Sequence, residues 1–174
     1  MPQAGRLAIA MGDITTFDVD AIVNAANTSL APGGGVCGAI HRAAGPGLAV
    51  ACRAVGPCPT GEARITPGFR LRARWVLHAV GPVWTGGGND EDRLLASCYR
   101  ATMALAEEHG LASVAFPAIS TGIYGFPPPR ATAIALRELG AALAWAGHVR
   151  HVTCVCFDAG MLRLYEEARP APGL

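Results

Sequence analysis

Between residues 22 and 45 the chain reads IVNAANTSLAPGGGVCGAIHRAAG, and this stretch constrains the fold more than any other. A β-branched apolar pair runs into an asparagine-rich bend, and three consecutive glycines then lead into a stretch of helical composition. Glycines let the backbone turn its N–H groups outward, and a following helix adds the positive end of its dipole. That arrangement suits a phosphate or pyrophosphate, because many weak donors converge on one diffuse anion. Taken alone, the stretch is equally compatible with a glycine-rich surface loop before an ordinary helix.

The remainder of the chain narrows the choice. Its 174 residues are most simply one domain, with a core over about 7–168, large enough to bury roughly 70% of its unfolded surface without staples. Apolar residues make up 51% and charged ones 16%, which excludes a disordered chain. Fourteen basic residues stand against 13 acidic ones, a formal charge of +1. General nucleic-acid binding needs a clear basic excess, so an anionic partner must be met by a local site. The cysteines, Cys37, Cys52, Cys58, Cys98, Cys154 and Cys156, form no C-x-x-C pair and have no histidines at zinc-finger spacing. The opening MPQAGRLAIAMGD holds only a short apolar run, too short for a secretion signal, so reduced thiols and a cytoplasmic location are expected. No apolar run approaches the roughly 18 residues of a membrane span.

Strand and helix signals alternate. Leu7–Met11 and Asp20–Ala25 read as strands, the second continuously apolar as if buried on both faces. Gly38–Ala44 and Leu48–Val55 read as helix interrupted at Gly45-Pro46, and Gly61–Ile65 as strand. The alternating arginines of Arg70-Leu71-Arg72-Ala73-Arg74 share one face of an extended segment, which predicts an exposed edge strand guarded by charge. Trp75–Val80 continues as a buried strand. The second glycine run, Gly86–Gly88, precedes Asn89-Asp90-Glu91-Asp92, acids that would repel a phosphate, so it reads as a turn before a helix over 92–109. Ser113–Ile119 reads as strand, Pro127–Pro129 as a break, Arg130–Trp145 as helix, His151–Phe157 as strand and Met161–Ala168 as helix. The proline-rich tail from residue 169 is expected to fray. Such alternation predicts a three-layer α/β/α domain.

Several residues carry candidate chemistry. Residues 33–38, GGGVCG, satisfy G-x-G-x-x-G in form. A dinucleotide fold also needs a tight turn directly after the strand and an acid about 20 residues on, and both are missing. The loop Ser120-Thr121-Gly122-Ile123-Tyr124-Gly125 follows a strand at its carboxyl end, where open α/β sheets bind ligands. Two such loops could grip a diphosphate from both sides, with Tyr124 covering a sugar ring. Asp13 could accept from an exocyclic amine or cap a turn. Asn24 and Asn27 could each bond a ribose hydroxyl or local backbone. Phe157-Asp158 could border a base or simply end the sheet.

GDIT at 12–15, AIVNAAN at 21–27, GGGVCGAIHRAAG at 33–45, HAVGP at 78–82 and AFPAISTGIYGFP at 115–127 together resemble a macrodomain of the MacroD type. The likeness covers most of residues 7–160. It implies a mixed six-stranded sheet flanked by helices and an ADP-ribose site. By the family pattern Asp13 and the Ile14 N–H recognise adenine, Phe157 and Asp158 border it, and Asn27 meets the distal ribose. Gly34, Gly35, Val36 and Cys37 wrap the diphosphate on one side, and Ser120, Thr121, Gly122, Ile123 and Tyr124 on the other. Relatives of this type hydrolyse the ester between the distal ribose and a protein carboxylate and deacetylate O-acetyl-ADP-ribose, and need no metal or other cofactor. The implied partners are ADP-ribose and mono-ADP-ribosylated proteins, met by a monomer.

The chain departs from the pattern at Cys37, where the family has an aspartate that orients or deprotonates water. Asn27 and Cys37 are therefore the candidate catalytic pair, with a thiol, neutral at pH 7 by its reference pKa of about 8.5, in place of a carboxylate. His41 lies one helical turn on, so a Cys37–His41 pair is geometrically possible. A phosphate oxygen of the substrate is a second way to position water. Losing a general base costs about 10²–10⁴-fold, which slows an enzyme without silencing it. Two functions follow, a hydrolase of ester-linked ADP-ribose or a reader that binds ADP-ribose without turnover.

Overall fold

The computed structural model describes residues 6–169, so the tail expected to fray from residue 169 lies outside it beyond Arg169. The apolar runs form strands β1 (Arg6–Met11), β2 (Ala21–Ala25), β3 (Ala63–Pro67), β4 (Trp75–Ala79), β5 (Ser113–Phe116) and β6 (His151–Cys156). Between and after them lie helices α1 (Gly35–Ala44), α2 (Gly47–Val55), α3 (Glu91–Glu108), α4 (Pro128–Trp145) and α5 (Ala159–Ala168). The strands make one sheet in the order β1-β6-β5-β2-β4-β3. Every pairing is parallel except β3 with β4, so the sheet is mixed.

Helices cover both faces because the central strands are apolar on both. Val23, Leu77 and Phe116 pack with Leu95, Leu139 and Tyr165 from α3, α4 and α5. On the other face Ile22, Val76 and Ala115 pack with Ile40 and Leu48 from α1 and α2. Consecutive residues Ile22 and Val23 thus enter opposite cores, which is why β2 reads as an unbroken apolar run rather than an alternating one. This is the three-layer arrangement that the alternation of elements implied.

Three local expectations need correction. The arginine segment 70–74 is not an edge strand but the connection between β3 and β4, and β3 itself is the edge. Gly68 accounts for the difference. Its N–H donates to the Arg74 carbonyl at 2.8 Å, and a Cβ there would sit 2.1 Å from the Ala73 oxygen, so the chain reverses where alternation suggested extension. Strand β5 stops at Phe116 instead of running to Ile119, because Pro117 has no N–H for the ladder. The prolines at 128 and 129 start α4 instead of breaking the chain, since first-turn N–H groups need no partner.

Strands β1, β6, β5 and β2 are neighbours and all parallel, so their carboxyl ends lie side by side at one edge of the sheet. Each of those four ends leads into a segment singled out above.

Candidate functional site

A cleft of about 660 Å³ opens over these carboxyl ends, lined by Asp13 and Ile14, Asn27, Gly34 to Cys37, Ser120 to Tyr124, and Phe157 with Asp158, while Asn24 and His41 do not line it. Sheet order sets their order in space. Asp13 follows β1, Phe157 follows β6, the loop over 117–125 follows β5, and Asn27 follows β2.

The adenine-side candidates are held by short local bonds. The Asp13 carboxylate accepts from the Thr15 N–H at 2.9 Å and the Thr15 hydroxyl at 2.7 Å, capping the single 3-10 turn Ile14–Thr16. Asp158 caps α5 by accepting from the Met161 N–H at 2.9 Å. Beside it the Phe157 ring is 92% exposed, an apolar surface that a stacked planar group would cover. Turn-capping and ligand contact are compatible for both carboxylates, since each has lone pairs to spare.

Two backbone loops face each other across the middle of the cleft. Helix α1 begins at Gly35 with Gly34 as its cap residue and no side-chain cap, so its first-turn N–H groups remain available. Opposite, Phe126 N–H donates to the Ser120 carbonyl at 2.9 Å and Gly125 N–H to that of Gly122 at 3.0 Å. These bonds close the loop, while the N–H groups of Gly122, Ile123 and Tyr124 have no partner among the described residues. Ser120 is held at φ 69°, a left-handed conformation costly for a side-chain-bearing residue. The loops meet where a Cβ on Gly34 would lie 3.1 Å from Ile123 Cδ1. The site is thus a bridged channel with N–H donors on two sides, an arrangement that can hold a diphosphate.

Asn27 and Cys37 flank Gly33, from whose Cβ position they would lie at 3.7 and 3.8 Å. Asn27 Nδ2 donates to the Ala31 carbonyl at 3.0 Å, and its Oδ1 accepts from Ser29 Oγ and the Ala31 N–H. One amide proton of Asn27 is left for the cleft. Asn24 does neither of the things expected of it. It is buried within β2, bonded to side chains instead of a sugar or local backbone. Cys37, 5% exposed, has Sγ at 3.7 Å from the Ala31 carbonyl and 3.8 Å from Asn24 Nδ2. It is not paired with His41, whose Nε2 is buried without a partner among the described residues and whose pKa is lowered by burial. No group of three or more histidines, cysteines or acids is placed to hold a metal among the described residues.

Sequence reading missed the support beneath the loops. Gly81 approaches so closely that a Cβ would lie 2.2 Å from Ser120 Oγ. The Trp84 N–H donates to the Tyr124 carbonyl at 2.8 Å, and its ring packs on Phe126 at 4.8 Å between centroids. Arg130, bidentate to Asp92, lies over the Trp84 ring at 5.3 Å from its centroid. The second glycine run is a turn as expected, with a cause the sequence only hinted at. The Glu91 carboxylate accepts from the N–H groups of Thr85, Gly87 and Asn89, bonds that hold its pKa down to about 2.

Comparison with known proteins bears on the family and the fold. The family model described as Macro domain matches residues 23–135. A Macro domain-containing protein of Ralstonia nicotianae is 57% identical over 159 residues, 90% of either chain. A Salmonella gallinarum relative named O-acetyl-ADP-ribose deacetylase is 50% identical over 167 residues, 94% of this chain and 93% of its own. Among solved structures, a mutant Oceanobacillus iheyensis macrodomain with ADPR has a TM-score of 0.88 at 42% identity, over 92% of this chain and 89% of that one. The Trypanosoma brucei macrodomain in complex with ADP-ribose has a TM-score of 0.87 at 44% identity, over 92% and 68%.

Proposed function

The chain belongs to the Macro domain family, and from that premise we propose that its cleft binds ADP-ribose and hydrolyses esters of the distal ribose. The substrates are O-acetyl-ADP-ribose and mono-ADP-ribose on acidic side chains of proteins. One observation carries the reading: the residues named from sequence, scattered from 13 to 158, line a single cleft in the order an extended nucleotide needs. Asp13 and Phe157 take the adenine, α1 and the 120–124 loop take the diphosphate, and Asn27 and Tyr124 take the distal ribose. Binding at both ends and in the middle fixes the ester where a water beside Cys37 and a substrate phosphate oxygen can attack it. A monomer in a reducing compartment such as the cytoplasm suffices, since the six cysteines are free and buried. No helix among the described residues is long and apolar enough to cross a membrane.

Cys37 favours a second reading, a binding module without turnover. A time course of ADP-ribose release from O-acetyl-ADP-ribose and from glutamate-modified protein, with wild type, Cys37→Ala and Cys37→Asp side by side, separates the two. The hydrolase reading expects measurable wild-type turnover that falls at least tenfold in Cys37→Ala. Binding of free ADP-ribose with no wild-type release over hours, and a large gain in Cys37→Asp, establishes the reader.

A further inference from the structure

The buried polar groups of β2, β3 and β4 form one chain of hydrogen bonds whose direction is set by its two ends. Asn24 stands opposite His78 in the register of β2 and β4. His78 stands opposite Arg64 of β3, and Thr66, two residues on, shares its face. Asn24, Thr66 and His78 are 1%, 2% and 0% exposed. Thr66 Oγ1 lies 3.2 Å from the Pro67 carbonyl, which can only accept, and 2.9 Å from His78 Nε2, whose role depends on the tautomer. With the hydroxyl proton directed to the carbonyl, which leaves neither carbonyl nor ring nitrogen unpaired, the Thr66 oxygen accepts from His78 Nε2–H. Burial, and secondarily the charge of His41, lowers the His78 pKa to about 4, so the ring is neutral and Nδ1 carries a lone pair. Asn24 Nδ2 donates to that lone pair at 3.1 Å.

The same amide group has a second proton, and its other neighbour is Cys37 Sγ at 3.8 Å. The Cys37 thiol in turn donates toward the Ala31 carbonyl, again an obligate acceptor, at 3.7 Å. Asn24 is thus the double donor from which two branches run to backbone oxygens. The orientation costs something, since Asn24 Oδ1 is left buried without a partner among the described residues. Cys52 Sγ also lies near the ring, 3.6 Å from Nε2, but its thiol is pushed up to about 11, chiefly by burial, and stays neutral. The closer Thr66 oxygen holds the ring proton.

We propose that Thr66 and His78 position Asn24 so that its amide presents a hydrogen-bond donor to the sulfur of Cys37, supporting the charge that develops there when the thiol proton leaves the Ala31 carbonyl, at the position where the family resemblance implies a carboxylate. The inference rests on Cys37 serving the hydrolytic reading above. A flipped amide would turn its carbonyl oxygen on the sulfur and oppose any charge there. It would also require a proton on His78 Nδ1 and pull the Thr66 hydroxyl away from Pro67. Thr66, remote from the cleft, therefore decides which face Cys37 meets.

The test is Thr66→Val, which removes the hydroxyl and nearly keeps the shape, with Thr66→Ser as the restoring variant. The first readout is the rate of Cys37 alkylation by iodoacetamide, followed by peptide mass spectrometry. The second is kcat and KM for O-acetyl-ADP-ribose hydrolysis, measured with Cys37 intact and in a Cys37→Ala background. A hydrogen bond to a charged atom implies roughly tenfold slower alkylation and a similar fall in kcat with KM unchanged. Thr66→Ser restores both, and Thr66→Val changes nothing once Cys37 is alanine. Nitrogen chemical shifts of His78 show the Nε2–H tautomer in wild type. An Nδ1–H tautomer, an unchanged alkylation rate, or the same kcat loss without Cys37 overturns the proposal. If alkylation responds as described while wild type hydrolyses nothing, the positioning stands and the hydrolase reading falls.

Discussion

Burying His78 as a neutral ring makes this fold sensitive to mild acid, and the effect has a calculable size. The ordinary histidine pKa of 6.5 is lowered to about 4 in the folded chain, first by burial and then by the charge of His41. Between those values the unfolded chain binds a proton that the folded chain refuses. Stability is therefore complete above the unfolded pKa and falls as pH drops toward the folded one. The full window is worth about 3 kcal/mol, and moving from pH 7 to pH 5 removes about 2 kcal/mol, a large share of an ordinary domain's stability. Urea unfolding at pH 5, 6 and 7, followed by tryptophan fluorescence, measures it. His41, also lowered by burial, adds slope of the same sign in every variant, so wild type is compared with His78→Gln. The glutamine variant is less stable at pH 7, but its stability falls less on acidification, and the two curves converge by about 2 kcal/mol at pH 5. Parallel curves would refute the argument, because they would mean that His78 is not the group refusing the proton.

Two other perturbations probe the supports of the cleft. In Gly81→Ala the new Cβ would meet Ser120 Oγ at 2.2 Å and Ile119 Cγ2 at 2.6 Å, so the 120–124 loop must shift. Calorimetric affinity for ADP-ribose should fall at least tenfold, and an unchanged affinity rejects the role given to that loop. Glu91→Gln removes a carboxylate held at about 2 by the N–H groups of Thr85, Gly87 and Asn89. Its contribution is present above the unfolded pKa of 4.5 and is lost as pH falls through about 2. Acid unfolding by circular dichroism should show a flatter limb in the variant, and superimposable limbs dispose of the idea.

The candidate cleft residues were legible in the sequence because they sit where apolar runs end. A strand that ends hands the next residues to a loop over the cleft: Asp13 comes after Gly12, Ser120 after Pro117, and Asn27 two residues after the end of β2. Interior contacts were not legible in the same way. Asn24 and His78 each interrupt an apolar run by one polar residue, and only the pairing of β2 with β4 shows that they answer one another. The arginines at 70, 72 and 74 alternate as a strand would, yet a local turn at Gly68 overrides the pattern. Cys37 and His41 have helical spacing, but spacing fixes only the direction of Cβ. The sulfur is drawn instead to Ala31 and Asn24.

The two glycine runs show why a local motif needs its neighbours to be interpreted. Both offer several N–H groups with little side-chain bulk around them. After the second run, Glu91 lies close enough to fold back, and its carboxylate takes the N–H groups of Thr85, Gly87 and Asn89. That nest already has its anion, and it serves to brace Trp84 beneath the Tyr124 loop. After the first run the opening turn of α1 carries no acid at all, because position 37 is a cysteine. Its donors therefore have no anion of the chain's own, and they face the cleft. Where the resemblance implies an aspartate, the cysteine at position 37 has two opposed consequences for the proposed function. On the proposed reading, a neutral side chain at 37 leaves no charge to repel a diphosphate and so favours binding, while it supplies no carboxylate to act as a base and so slows turnover. Hydrolysis then depends on how well Asn24 supports charge on the sulfur that took the aspartate's place.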